Sequence, residues 1–369
     1  MTLAWMMWQL TSSETWLGFL AIFLFLPSIV FGPLFGVLVD RVNRSKAALL
    51  TTSIIMILAF ILASVTHYQL TDKYILLFFS LLIGIANSAY QSIRLSFVPE
   101  LVRPINMPKA VAINAIIFNS SRFIGPVIAG YLLKYHNNSI ALYVVALSYI
   151  PLMLVLFKLK IKQLNPHPYQ KKFTFVADIK AALNHISQSK LIFILFVMIA
   201  TSAIFGRGLL EILPALAEVL YQGGIEQVTL FNSAAGLGAI LAGLIMTKLS
   251  SSKFKTVVML VSYVSGFILM LFPLTTHLTS AVLFISILSF CATVTGVISQ
   301  SLIQVNVENA FRGRIMSLWG AINFGGGALG GLLFGFMTEN VGYPVSFLSI
   351  GILCVLLAFY TRQHLHMDT

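Results

Sequence analysis

The chain has 369 residues, 58% of them hydrophobic and 9% charged, with a mean hydropathy of +0.93. Water-soluble domains carry about a quarter charged residues, so an ordinary soluble protein is excluded. The 23 Lys and Arg against 11 Asp and Glu give a formal charge of +12, but the basic residues fall between apolar runs, a pattern that speaks for a membrane and against nucleic acid as partner.

Apolar runs near 16–39, 47–66, 74–95, 110–133, 140–158, 190–213, 227–249, 256–274, 279–301, 314–337 and 343–361 each suffice to cross a hydrocarbon core. Ahead of them Met1–Leu10 forms a first span of half the needed length, so the reading is twelve helices with the first truncated or its start misassigned. No basic leader precedes it, and the first span itself directs insertion. Of the 23 basic residues, 18 lie in the even-to-odd connections or at the C-terminus and two, Lys73 and Lys134, on the opposite side. The positive-inside rule then predicts a multi-pass plasma-membrane protein, in the inner membrane if Gram-negative, with a cytoplasmic C-terminus. The longest connection, 159–189, is basic and divides the chain into bundles at 1–158 and 190–369. Its second part, from Phe173 to Ile186, has helical apolar spacing and is predicted to lie along the cytoplasmic surface as an anchor.

Span 2 runs into Gly36-Val-Leu-Val-Asp40-Arg41-Val-Asn43-Arg44-Ser45-Lys46, where glycine permits close helix contact and the basic residues hold the turn in the cytoplasm. This resembles the loop 2–3 motif of the major facilitator superfamily, with Asn43 in place of a second glycine and Ser45 in place of a basic residue. Asn43 fits that substitution if it adopts the left-handed turn conformation that Asn shares with Gly. The resemblance implies an all-α fold of two parallel six-helix bundles. It also implies a cytoplasmic gate of Gly36, Asp40, Arg41 and Arg44, in which Asp40 lies near Arg94 of span 4 and the start of span 11, Arg312 to Ser317. An internal repeat points the same way. Residues Arg122 to Leu133 align without gaps on Asn323 to Phe334 at an offset of 201, and Gly36 to Arg41 on Gly243 to Lys248 at an offset of 207.

Span 5 gathers Asn114, Asn119 and Arg122 ahead of Gly125, Pro126 and Gly130. The glycines and proline resemble the helix 5 kink of the superfamily's antiporters. Arg122 stands near mid-membrane, where a charge faces a cavity or a partner; it reads either as a substrate or gating residue or as half of a buried structural pair. With Asn114, Asn119 and the repeat-equivalent Asn323 it is assigned to the substrate path. In span 7, Arg207 and Glu211 are one turn apart and able to pair. Glu211, about 20 residues past the cytoplasmic boundary, reads either as part of an outer-gate ion pair or as a protonatable coupling group. Stripes such as Gly32/Gly36 and Gly327/Gly331/Gly335 read as packing surfaces.

The segments from Phe97 to Val102, Glu211 to Ala217 and Arg312 to Leu318 narrow the resemblance to the branch containing the enterobactin exporters and the macrolide efflux proteins. What this implies is a proton-coupled antiporter that exports an amphipathic small molecule, siderophore-like or drug-like, by alternating access. The alternatives are a lysophospholipid transporter or flippase, and a truncated non-transporting scaffold. No phosphate-binding loop occurs and no enzyme is predicted. The two cysteines, Cys291 and Cys354, sit in separate apolar runs, which leaves no disulfide framework or metal-ligand spacing; no cofactor is predicted, and a monomer is.

Overall fold

The computed structural model describes residues 1–32, 34–35, 42–101, 107–158 and 175–365, with the side chains of 95–101, 107–116, 118–119, 175–179, 309–310, 312–314, 324 and 365 outside that description. The described elements are helices. Long apolar runs favour them, because a helix satisfies every backbone polar group internally where no water is available. In chain order they are α1 (Thr2–Thr11), α2 (Glu14–Val30), α3 (Arg44–His67), α4 (Lys73–Leu101), α5 (Met107–Tyr135) and α6 (Asn138–Leu147 and Tyr149–Lys158). A linker helix (Phe175–Gln188) follows, then α7 (Lys190–Tyr221), α8 (Ile225–Met246), α9 (Phe254–Leu271), α10 (Leu278–Asn306), α11 (Asn309–Val341) and α12 (Tyr343–Leu365). Among the described residues nine of these are long and apolar enough to cross a membrane, so the chain is a multi-pass integral membrane protein. Large apolar side chains such as Phe60, Phe78, Leu154 and Phe157 stand exposed on its perimeter, as a lipid-facing surface requires.

Local chemistry sets the ends of the helices. Asn137 starts α6 by accepting from the Ile140 amide at 2.9 Å, and Asp72 starts α4 by accepting from Ile75 at 2.7 Å. The expectation for Asn43 is corrected. It has φ −66° and ψ 111°, an extended and not a left-handed conformation, and its side chain accepts from the Lys46 amide at 3.0 Å to cap α3. A residue that supplies an N-cap oxygen replaces a glycine through its side chain, not through its backbone freedom. Gly342, at φ +82°, turns α11 into α12. The break in α6 falls just before Pro151, which cannot donate to the Leu147 carbonyl.

The six helices before the linker meet the six after it most extensively along α2 with α11 and α5 with α8. At Gly18 a Cβ would stand 2.5 Å from the Leu332 Cα, so α2 and α11 touch backbone to backbone. The largest buried cluster joins both sets, with Met7, Trp8, Leu17 and Leu62 from the first and Leu213, Phe231, Phe272 and Phe334 from the second. It lies toward the end opposite the linker, called the far end below. The linker helix buries Ala182 and Ile186 against α7, α10 and α11, and stacks the His185 ring on Phe311 at 4.7 Å. This is the packing of an anchor.

Candidate functional site: a cavity between the two sets of helices

A cavity of about 500 Å³ is lined by residues of α1 to α8. Most of its wall is apolar, from side chains such as Leu20, Leu24, Ile55 and Leu142, and the polar groups on it include Arg122, Tyr149, Glu211 and Asn232. Few polar groups on an apolar wall is the usual make-up of a small-molecule site.

Arg122 is the 16th of the 29 residues of α5, as the sequence places it, and is half-buried at the cavity wall. Among the described residues it pairs with no carboxylate and makes no hydrogen bond. Pro126 follows one turn later without interrupting α5 and leaves the Arg122 carbonyl without its helical donor. That carbonyl faces Gly236 of α8, where a Cβ would stand 2.7 Å from the oxygen and 2.9 Å from the Phe123 Cα. Here α5 and α8 approach at the turn where α5 has lost a hydrogen bond, and glycine is the residue that admits the approach. Gly130 packs against Thr229 of α8, whereas the Cβ position of Gly125 meets nothing within 4 Å. Asn114 and Asn119 lie on α5, with side chains outside the described residues.

The winding of α7 changes twice around the next candidates. Ser202–Arg207 form a π-helical turn and Leu209–Ile212 a 3-10 turn, after which the α-helix resumes with Pro214 in its first turn. Proline, lacking an N–H for the Leu210 carbonyl, accounts for the second change. Because α7 continues to Tyr221 and not to 213, Glu211 lies ten residues inside the helix end. The pairing of Arg207 with Glu211 is absent among the described residues. Arg207 donates instead from Nη1 to the Asn323 carbonyl of α11 at 3.2 Å, while Glu211 rests on Gly331, whose added Cβ would meet the Glu211 Cβ at 2.7 Å. The π and 3-10 turns between the two residues replace the even α-helical phase on which the pairing depends. Asn323 is 4% exposed.

At the far end, four glutamates tie the two sets together. Tyr343 donates to Glu14 Oε1 at 2.6 Å, Trp8 Nε1 to Glu218 Oε2 at 2.6 Å, and Ser13 Oγ to Glu339 Oε2 at 2.8 Å, which also accepts from the Thr15 amide at 3.0 Å. The fourth tie is an ion pair of Lys134 with Glu226. Of the gate motif, Gly36, Asp40 and Arg41 lie outside the described residues, and Arg44 and Arg94 are half-buried. Sequence reasoning missed Asn232 and Gly236 on the cavity side and all four glutamate ties. Asn232 carries a signal, an amide in mid-span. The ties carry none, since Glu14 and Tyr343 are 329 residues apart.

The chain matches the family described as "Transmembrane secretion effector" over residues 1–368. It is 23% identical to the staphyloferrin A transporter of Staphylococcus aureus, over 97% of this chain and 90% of that protein. It is 27% identical to the enterobactin exporter EntS of Salmonella choleraesuis, over 87% of this chain and 78% of that protein. Its fold is similar to that of the nucleoside transporter NupG (TM-score 0.70, 16% identity, 98% of this chain and 93% of that one). It is also similar to a bacterial homologue of the human lysosomal transporter Spinster in an inward-facing, occupied conformation (TM-score 0.73, 13% identity, 99% and 92%). A match over the whole length, borne by an all-helical membrane fold with a cavity between two sets of six helices, places the chain in the transmembrane secretion effector family of the major facilitator superfamily.

Proposed function

We propose that the protein exports an amphipathic, anionic small molecule of the siderophore class by alternating access, in antiport with protons. The observation that carries this reading is Arg122. A guanidinium halfway along a membrane helix costs at least about 2.5–3.5 kcal/mol, and on a cavity wall without a carboxylate partner among the described residues that cost is offset when an anionic group of the cargo arrives. The apolar remainder of the wall suits the cargo's non-polar body. Two relatives, a staphyloferrin A transporter and an enterobactin exporter, support the siderophore class. The bias of basic residues supports a cytoplasmic C-terminus in the plasma membrane, or the inner membrane of a Gram-negative cell.

In this reading the bundles 1–158 and 190–369 rock about the cavity, tethered by 159–189, and the far-end ties close one side while the cargo is taken up on the other. The loop 2–3 motif around Asp40 gates the cytoplasmic side. Glu211, the carboxyl group on the same wall as Arg122, is the proton carrier. The test is efflux of staphyloferrin A, enterobactin and a neutral macrolide from proteoliposomes, with a pH-sensitive dye reporting proton flux. Anionic cargo is expected to move with opposed proton flux in wild type, to stall in Arg122→Ala, and to move without proton flux in Glu211→Gln. Equal transport of the macrolide by wild type and Arg122→Ala, with no movement of either siderophore, overturns the reading.

A further inference from the structure

The arginine on α7 is only half-satisfied by the backbone it reaches. Arg207 spends Nη1 on the Asn323 carbonyl. The Oδ1 of the same Asn323 side chain is buried without a partner among the described residues, in a residue that is 4% exposed. Across from both, on α10, stands the buried Gly296. Among the described residues a Cβ added there would meet two atoms within 4 Å outside its own helix, Asn323 Oδ1 at 3.5 Å and Arg207 Nη2 at 3.8 Å. Among the described residues the missing side chain of Gly296 therefore leaves a hollow flanked by one orphaned acceptor and one N–H donor. A buried acceptor left without a donor is costly, and native interiors meet such groups with ordered water when the site is polar and has room.

We propose that the hollow over Gly296 binds one hydroxyl oxygen, that of a water molecule in the cargo-free protein, which accepts from Arg207 Nη2 and donates to Asn323 Oδ1. One oxygen with one proton turned toward Asn323 satisfies both groups. An apolar guest satisfies neither, and an ammonium would repel the guanidinium. The site joins α7 at its π-helical turn to α10 and α11, so the bound oxygen completes a polar node of three helices around an arginine that has no carboxylate among the described residues. A π turn inside an α-helix frequently marks a functional position. The site is distinct from the cavity wall that carries Arg122, and it requires no particular cargo.

Thermal unfolding of the purified, cargo-free full-length chain tests it, because the hollow accepts an alanine without a clash. Gly296→Ala gains helix propensity but displaces the oxygen; it is expected to lower Tm by about 2–4 °C. Gly327→Ala is the control. Its Cβ would meet the Arg207 Cβ at 3.6 Å, on the apolar stem of the same arginine, and Tm is expected to stay level or rise. Gly296→Ser carries its own hydroxyl into the hollow and is expected to restore Tm to the wild-type value. A Gly296→Ala protein as stable as wild type or more so means an empty hollow and overturns the proposal. So does a Gly296→Ser protein that falls as far as Gly296→Ala, since the loss then comes from bulk and not from the missing hydroxyl.

Discussion

At the far end of the molecule Glu14, Glu218, Glu226 and Glu339 each hold a residue from the opposite set of helices, whereas halfway along the helices Arg122 and Arg207 meet no carboxylate among the described residues. The physical settings differ. A neutral donor bonded to a carboxylate adds modest stability, and an exposed pair such as Lys134 with Glu226 adds less. In the membrane interior a charge costs several times more, so an arginine there that is not paired within the protein is poorly explained as a fastener. The far end reads as a clasp, and the middle reads as a place held open for something else.

The sharpest way to break that contrast is Arg122→Ala. Loss of a charged hydrogen bond to cargo is worth about tenfold to a hundredfold in transport, with the amount of folded protein unchanged and partial recovery in Arg122→Lys. Equal efflux by the alanine variant in proteoliposomes would make the arginine a structural residue after all. Next in size is Gly236→Val. Its side chain must enter the space of the Arg122 carbonyl, 2.7 Å from the Cβ position, and overpacking of this kind costs about 1–3 kcal/mol, visible as a lower midpoint in thermal unfolding. A smaller effect belongs to the clasp. Tyr343→Phe removes the bond to Glu14 and is expected to cost about 1 kcal/mol, and thiol labelling of a cysteine placed at the buried Leu17 should then quicken. Unchanged labelling in Tyr343→Phe and in Glu339→Gln would show that apolar packing alone keeps that end shut. Least of all, Lys134→Ala should leave stability and transport unaltered, because its partner Glu226 and Lys134 itself are both exposed.

Sequence made the transmembrane helices and the linker legible, because apolar run length and basic-residue bias report on membrane thickness and on the side facing the cytoplasm, and neither depends on tertiary contacts. The place of Arg122 halfway along its helix was readable for the same reason. The end of α7 was not, because Pro214, which usually signals a boundary, is absorbed there by a tighter turn. Nor was the partner of Arg207, since a helical-spacing rule presumes the regular helix that Ser202–Arg207 lack. Gly236 shows the limit most simply. A glycine in an apolar span declares that something comes close, but the identity of that neighbour, the Arg122 carbonyl, is a fact of the folded molecule.

Three glycines of α11 fall against ionisable residues in sequence: Gly327 on the stem of Arg207, Gly331 on the side chain of Glu211, and Gly335 on the backbone of Glu14. The π turn of α7 sets which of its residues meets which of these glycines. An α-helix advances about 100° and 1.5 Å per residue, and the wider i→i+5 winding of Ser202–Arg207 takes up one more residue over the same rotation, so regular α winding of the same six residues would rotate all that follows. Glu211 would then swing off Gly331 and away from the cavity, though every residue named at the site were still present. The winding at that one turn acts as a phase setting, and it carries as much information as the identity of the charged groups on either side of it.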